Sequence, residues 1–350
     1  MKTHRIALIP GDGICVEVIE AAWTVLQAAG SKYDFSLEAR HFEWSCDHYL
    51  STGRMMPEDG IEILRGFDAI LLGAVGWPEK VPDFVSLHGL LLPIRKAFDL
   101  YVNLRPHRLL SGVKGPLCKD EFDILCIREN TEGEYSGAGG RVHAGTDGEV
   151  AVETSIFTRR GVERIIRYGF EQARGRTKRL ASVTKSNAQK HSMVFWDDVT
   201  RQVSADYPDV QVQSYHIDAI AARFVTHPES FDVVVASNLF GDILTDLGAA
   251  IQGDLGFAAS ANINPNGGVP GMFEPVHGSA PDIALRNVAN PLATIWSGAM
   301  MLDYLGEHQA AIGVMDAMEE LCAIYDLRTQ DRGGSTTTRD VAWVIASLIV

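Results

Sequence analysis

The chain of 350 residues is 46% hydrophobic and 22% charged, the balance of a globular protein of one or two domains, and it has no apolar run long enough to span a bilayer. Forty-five acidic residues against 31 basic ones give a net charge of −14, which argues against nucleic acid as the main partner. Cys15, Cys46, Cys118, Cys126 and Cys322 are odd in number and lack a CxxC pair, so they read as thiols in a reducing cytoplasm, not as disulfides or a zinc site.

The N-terminal MKTHRIALIP reads as a strand and not as a signal peptide, with the strand over His4 to Pro10 and a helical apolar period from Ile14 to Ala29. Phe67–Gly73 reads as a buried strand and Leu87–Phe98 as a helix ending near Asp99. Strands follow at Tyr101–Leu110, Phe122–Arg128 and Val150–Thr158, then a helix at Arg159–Arg174. Next come a strand at Arg179–Lys185, a helix at Met193–Ala205, a strand at Val210–Ile217 and the apolar strand before Asn238. The helix carrying Asp242 leads into short extended pieces up to Val276. Helices over Pro291–Leu305, His308–Tyr325 and Thr336–Leu348 complete an α/β pattern with mixed sheets. The GDG at Gly11–Gly13 joins a strand to a helix but is not GxGxxG, and it gives a dinucleotide fold only weak support.

Asp242 and Asp246 lie four apart in FDVVVASNLFGDILTDLGAA, so the helix presents two carboxylates on one face. Such a pair is stable beside a cation, and a hard divalent ion such as Mg2+ or Mn2+ takes oxygen ligands of this kind. A solvated acidic face is the alternative reading. Arg95, Arg105 and Arg128 stand at element ends, where each suits either a bound carboxylate or a salt bridge. Tyr135 in a Gly-rich loop is a proton donor or a packing residue. Lys185 ends RLASVTK before a cap-like SNAQ and is a candidate base or a surface charge. Asp218 follows VQSYHI and is a functional carboxylate or a helix N-cap. FEPVHGSAPD, Phe273–Asp282, reads as a loop able to wrap a nucleotide. Its amides and Ser279 would face phosphate, His277 adenine and Asp282 the ribose; an omega loop is the structural alternative.

Together IPGDGI, FDAILLGAVG, IRKAFDLYVNLRP, IRENTEGEY, TKSN, HIDA, SNLFGDILTDL, FEPVHGSAPDI and ANPLATI resemble the β-decarboxylating dehydrogenases, the family of isopropylmalate, isocitrate and tartrate/D-malate enzymes. The resemblance runs from residue 5 to about residue 305. It implies a two-domain α/β fold of isopropylmalate/isocitrate dehydrogenase type, not a Rossmann fold. One domain (1–100 and 256–350) is built from both chain ends and binds cofactor; the other (101–255) carries dimerisation, metal and substrate residues. The resemblance also implies a homodimer with shared sites. Asp242 and Asp246 of one chain and Asp218 of the other would hold Mg2+ or Mn2+, and the family admits K+ as a further ion.

The same resemblance implies that Arg95, Arg105 and Arg128 bind a small dicarboxylate, that Lys185 aided by Asp218 takes the hydroxyl proton, and that Tyr135 assists protonation of the enol after CO2 leaves. Ile14, Glu274, His277, Gly278, Ser279, Ala280, Asp282 and Asn290 would bind NAD. Asp282 and Ile283 stand where NADP-specific isocitrate enzymes have Lys and Tyr, and a carboxylate repels a 2′-phosphate. In the specificity segment SLHGLLLPIR, Gly89 and Leu91 replace the Ser and Asn of isocitrate enzymes, and His88 replaces the Glu of isopropylmalate enzymes. Leu91 and Leu92 keep an apolar pair. GAVGWP, MMP and TKSNAQ look most like the tartrate/D-malate branch; isopropylmalate oxidation and a catalytically silent regulatory subunit are the other readings.

Overall fold

The computed structural model describes residues 2–117, 121–324 and 328–350. Its strands are β1 (Lys2–Gly11), β2 (Phe35–His41), β3 (Ala69–Ala74), β4 (Val102–Arg108), β5 (Asp123–Glu129), β6 (Gly133–Val142), β7 (Val150–Ile156), β8 (Arg179–Thr184), β9 (Gln211–His216), β10 (Val233–Ala236), β11 (Ala259–Ile263) and β12 (Gly271–Pro275). The longer helices are α1 (Cys15–Tyr33), α2 (Arg159–Gly175), α3 (Ser192–Ser204), α4 (Ile217–Thr226), α5 (Asn238–Gln252), α6 (Leu292–Tyr304), α7 (His308–Ile324) and α8 (Thr338–Ile349). No helix among the described residues is long and apolar enough to cross a membrane.

The chain divides into two compact units. The first holds residues 1–100, 109–116 and 252–350, the second 101–108 and 117–251. In the first, the strand order is β2-β1-β3-β12-β11, parallel except for the antiparallel β11. Two of its strands come from far along the chain, unlike the wholly parallel Rossmann order. In α1, Cys15, Val18, Ile19, Ala22, Val25, Leu26 and Ala29 are buried along one face, the three-and-four spacing that predicts the helix. Asp34 ends it in the left-handed conformation, its amide bonded to Gly30 O.

The GDG turn works as a splint. The Asp12 carboxylate accepts the amides of Cys46 (3.0 Å) and Gly76 (2.9 Å). Gly13 (φ +61°) lies so close to the 279 segment that a Cβ would stand 1.9 Å from Ser279 O, and the Ile14 amide donates to that same oxygen.

In the second unit the order is β4-β5-β10-β8-β9, parallel except for β4. The all-buried VVVA of β10 reads as a parallel core strand should. A separate antiparallel ribbon, β6–β7, exposes every residue of β7.

Several expectations need correction. Tyr135 lies in strand β6, not in a loop, because glycines in an exposed ribbon hide the strand period. Phe273–Pro275 belongs to β12, so the loop is shorter than FEPVHGSAPD suggests. SNAQ forms a turn on Lys185 O and caps nothing: α3 begins at Ser192 after His191. Asp218 lies inside the first turn of α4, whose N-cap is His216. Leu87–Phe98 is interrupted by a π-helical turn at Leu87–Leu91. Strand β2 and the short helices Cys46–Thr52 and Gly60–Leu64 had no sequence counterpart. Cys118 and Tyr325 lie outside the described residues.

His4 on β1 is buried, and its Nε2 stands 2.8 Å from the Glu307 carboxylate in the turn between α6 and α7. The His4 hydrogen bond first, then Lys2, holds the Glu307 carboxyl below the usual carboxylate range. A depressed value contributes stability that is present above the unfolded value of about 4.3 and lost as pH falls through the folded value. Glu307→Gln is therefore expected to cost about 1 kcal/mol at pH 7, shrinking below pH ~4, by urea unfolding. An equal loss at every pH would contradict this.

Candidate active site

In β4 the alternate residues Asn103, Arg105 and His107 are buried, and the register sets Asn103 opposite Arg128 and Arg105 opposite Cys126 of β5. Two guanidinium groups are thereby buried on one face, Arg105 at 5% exposure and Arg128 at 2%. Buried charge is costly unless paired.

The pairing comes from α5, which approaches these strands unusually closely. A Cβ on Gly241 would stand 2.8 Å from Arg128 Cβ, and one on Gly248, two turns on along the helix, 2.8 Å from the His107 ring. Glu134 fixes the start of α5, accepting Ser237 Oγ (2.8 Å) and the Leu239 amide (3.1 Å), as a carboxylate at a helix N-terminus should.

Asp242 is the hub. Arg128 Nη1 donates to its Oδ1, Arg105 Nη1 stands 3.3 Å from the same oxygen, and Tyr135 Oη donates to Oδ2 at 3.0 Å. Asn238 Oδ1 accepts Arg128 Nε (3.0 Å) and Nη2 (2.7 Å), Asn103 accepts Arg105 Nε (2.9 Å), and Thr245 Oγ1 accepts Arg105 Nη1 (2.6 Å). Burial, then the Asp242 charge, pushes the Tyr135 phenol up, so it stays protonated at neutral pH.

Asp246, one turn on, is exposed at the residue level. Loss of hydration still raises its carboxyl; Arg105 pulls it down and Asp242 pushes it up again. Two oxygen-donor carboxylates, one tied to arginines and one open, are a fit for a hard divalent ion. Among the described residues no three His, Cys, Asp or Glu groups converge as a metal site. Asp218 instead pairs with Lys185, at the C-terminal ends of neighbouring parallel strands, and this pairing holds the Asp218 carboxyl below its usual range.

The first unit holds the other expected residues. Arg95 and Glu274, read separately as substrate and cofactor groups, are paired with each other at 2.7 Å, and Asn262 also donates to Glu274 at 2.8 Å. His88 is exposed on the π turn; Leu92 is buried and Leu91 packs on the core. Ser279 is buried with its hydroxyl given to Gly76 O, so it anchors the loop and does not present that hydroxyl to a phosphate.

A cavity of about 330 Å³ in this unit is walled by Ile14, Ile283, Val288 and Ala289, with His277, Asn290, Asp254, Gln330 and Asp331 as its polar groups. His277 spends Nδ1 on Gly278 O (2.9 Å), while Nε2 is buried with no hydrogen-bond partner among the described residues. Burial holds its pKa low, so a neutral imidazole faces the space. Apolar walls with a few polar groups fit an adenosine moiety. Asp282 is exposed near one wall, and Gly278 and Ala280 complete the loop.

Sequence reasoning missed Asn103, Asn238, Thr245 and Glu134, which hold the arginines and α5. It also missed Asp254, Gln330 and Asp331 of the cavity. Asn103, Glu134, Asn238 and Thr245 fall within motifs quoted above, but polarity alone does not single them out. Apart from Asn103, two residues from Arg105, their partners lie far along the chain.

Residues 5–345 match the family model described as isocitrate/isopropylmalate dehydrogenase. A Bacillus subtilis protein named probable tartrate dehydrogenase/decarboxylase is 51% identical over 351 residues, covering 99% of this chain and 98% of the relative. The Escherichia coli D-malate dehydrogenase [decarboxylating] is 53% identical over 360 residues, covering 100% and 99%. The crystal structure of isocitrate dehydrogenase from Methylococcus capsulatus superposes with a TM-score of 0.89 at 33% identity, covering 99% of each chain. The chain belongs to the isocitrate/isopropylmalate dehydrogenase family and is an enzyme, a decarboxylating dehydrogenase acting on the CH–OH group of a hydroxy acid.

Gly241→Ala is expected to cost about 1–3 kcal/mol through overpacking against Arg128 and to lower kcat at least tenfold by moving Asp242. Wild-type kcat with an unchanged Tm would show that the close approach does not position the site.

Proposed function

We propose that this enzyme carries out the NAD-dependent and divalent-metal-dependent oxidative decarboxylation of a D-malate-type 2-hydroxy acid, D-malate or a tartrate. The observation that carries the reading is the convergence of Arg105, Arg128 and Tyr135 on Asp242 beside the open carboxylate of Asp246. The names of the Bacillus and Escherichia relatives support the substrate class.

Arg105 and Arg128, held by Asn103, Thr245 and Asn238, bind the substrate carboxylates with N–H groups already oriented, and Arg95 is the third arginine. Asp242 and Asp246, with Asp218 of a second copy, would hold a divalent ion, Mg2+ or Mn2+, which would supply positive charge to acidify the hydroxyl and polarise the ketone it becomes. NAD+ supplies the hydride acceptor. Lys185, oriented by Asp218, takes the hydroxyl proton, and Tyr135 delivers a proton to carbon once CO2 has left.

The cavity around Ile14, His277 and Asn290 holds the adenosine end, with Asp282 and Ile283 selecting NAD over NADP. Glu274, already bound to Arg95, supports the cofactor side of the first unit. A homodimer is supported by the β6–β7 ribbon, which exposes Val142, Val150, Val152 and Ile156. A cytoplasmic setting is supported by free Cys15, Cys46, Cys126 and Cys322. His88, where isopropylmalate enzymes have Glu, favours a D-malate-type substrate over 3-isopropylmalate, while the apolar Leu91 and Leu92 pull the other way.

With Mn2+ and NAD+, kcat/KM for D-malate and one tartrate isomer should exceed that for 3-isopropylmalate and isocitrate at least tenfold, read as NADH formation. The highest value on 3-isopropylmalate would refute the substrate class. Mixing inactive Lys185→Ala with inactive Arg128→Ala subunits should restore activity, since one site of a heterodimer would keep both residues. Heterodimers that form and stay inactive would show that each site is built within one chain.

A further inference from the structure

Between Ile283 and Asn290, both on the cavity wall, the chain turns through a segment whose backbone is unusual. Leu285 (φ 60°) and Asn287 (φ 57°) both occupy the left-handed region. Asparagine tolerates that region, but leucine rarely enters it. The Leu285 side chain is 78% exposed, so packing does not compensate.

Backbone hydrogen bonds hold the conformation. Glu17, in the first turn of α1, accepts the Leu285 amide on Oε2 (2.8 Å) and the Asn287 amide on Oε1 (2.6 Å). From the other side the Thr338 amide donates to Asn287 O (3.1 Å), the Arg339 amide to Asn287 Oδ1 (3.2 Å) and Thr338 Oγ1 to Ala289 O (2.6 Å). The segment is thus gripped between the N-terminal turns of α1 and α8. Glu17 is the charged acceptor among these described contacts, and it stands outside the cavity wall.

We propose that Glu17 is a positioning residue for the dinucleotide: its carboxylate holds the strained 284–288 segment, and thereby Asp282, Ile283 and Asn290, in the geometry that receives the adenosine ribose. This rests on the reading of the cavity as the NAD site. Binding then costs less because the loop is ordered beforehand, and the apparent dissociation constant rises by the factor by which the ordered fraction falls.

The experiment pairs amide hydrogen exchange on the cofactor-free protein with NADH binding by fluorescence and with steady-state kinetics. Glu17→Gln keeps one acceptor oxygen and turns an NH2 group toward the other amide. Exchange at Leu285 and Asn287 should rise about tenfold, on the scale of one lost hydrogen bond to a charged group. The Kd for NADH and the KM for NAD+ should rise about tenfold with it, while kcat at saturating NAD+ falls less than about twofold. In the Glu17→Gln background, Leu285→Gly should restore most of the NADH affinity, because glycine accepts the left-handed conformation unaided. Leu285→Ala should not.

Unchanged exchange in Glu17→Gln would overturn the clamp, and faster exchange with unchanged NADH binding would overturn the positioning role. Rescue by alanine as well as glycine would overturn the strain argument. A wild-type protein that fails to bind NADH, with exchange still responding to Glu17→Gln, would sink the cofactor reading and the positioning role with it, leaving a structural clamp.

Discussion

Two guanidinium groups buried side by side need a negative charge, and the Asp242 carboxylate supplies it to both. Asp242 takes Arg128 and Arg105 on one oxygen and Tyr135 on the other. Removing the carboxylate would leave both guanidinium groups without this compensation, at less than the roughly 3–5 kcal/mol typical of a fully buried pair because the Asp242 side chain is 33% exposed. The surrounding structure serves this contact. Gly241 and Gly248 bring α5 against the strands, Glu134 fixes its start, and Asn238 and Thr245 orient the arginines.

The two carboxylates of α5 are therefore unlike each other. Asp242 is neutralised by direct contact with both arginines, whereas Asp246 feels Arg105 and Arg128 only through their charge, and loss of hydration raises its carboxyl. On the proposed reading, a cation joining the pair would share Asp242 with the arginines and the Tyr135 phenol, so that one residue would link all three. In the first unit the design is comparable: backbone amides are pinned by buried or half-buried carboxylates, Asp12 at the GDG turn and Glu17 at the 284–288 segment. Neither carboxylate has to touch a ligand to shape the place where one binds.

The sequence was most legible where apolar period and chain order coincide. Helix α1 and strands β1, β5, β8 and β10 follow directly from buried spacing. Strand β2 was hidden because FSLEARH is exposed over its last four residues, and β6 because GEYSGAGGRV carries four glycines. The principal charged residues stood out through motif context: Asp242, Asp246, the arginines, Lys185 and Asp218. Their supports did not. Arg128 meets Asn238 across 110 residues and Asp242 across 114, and Arg95 meets Glu274 across 179. Linear spacing carries no trace of such pairs, so the mutual engagement of Arg95 and Glu274 and the anchoring role of Ser279 became visible only in three dimensions.

The central claim is that the Asp242–Asp246 pair exists to share a divalent ion with the arginines. The most direct test is titration of Mn2+ into the protein, free of substrate and NAD, followed by electron paramagnetic resonance, comparing wild type with Asp242→Asn. The account predicts one ion bound per chain in the wild type and affinity at least about 100-fold weaker in the variant, on the scale of a lost ligand charge. Equal Mn2+ binding by the two proteins would contradict it.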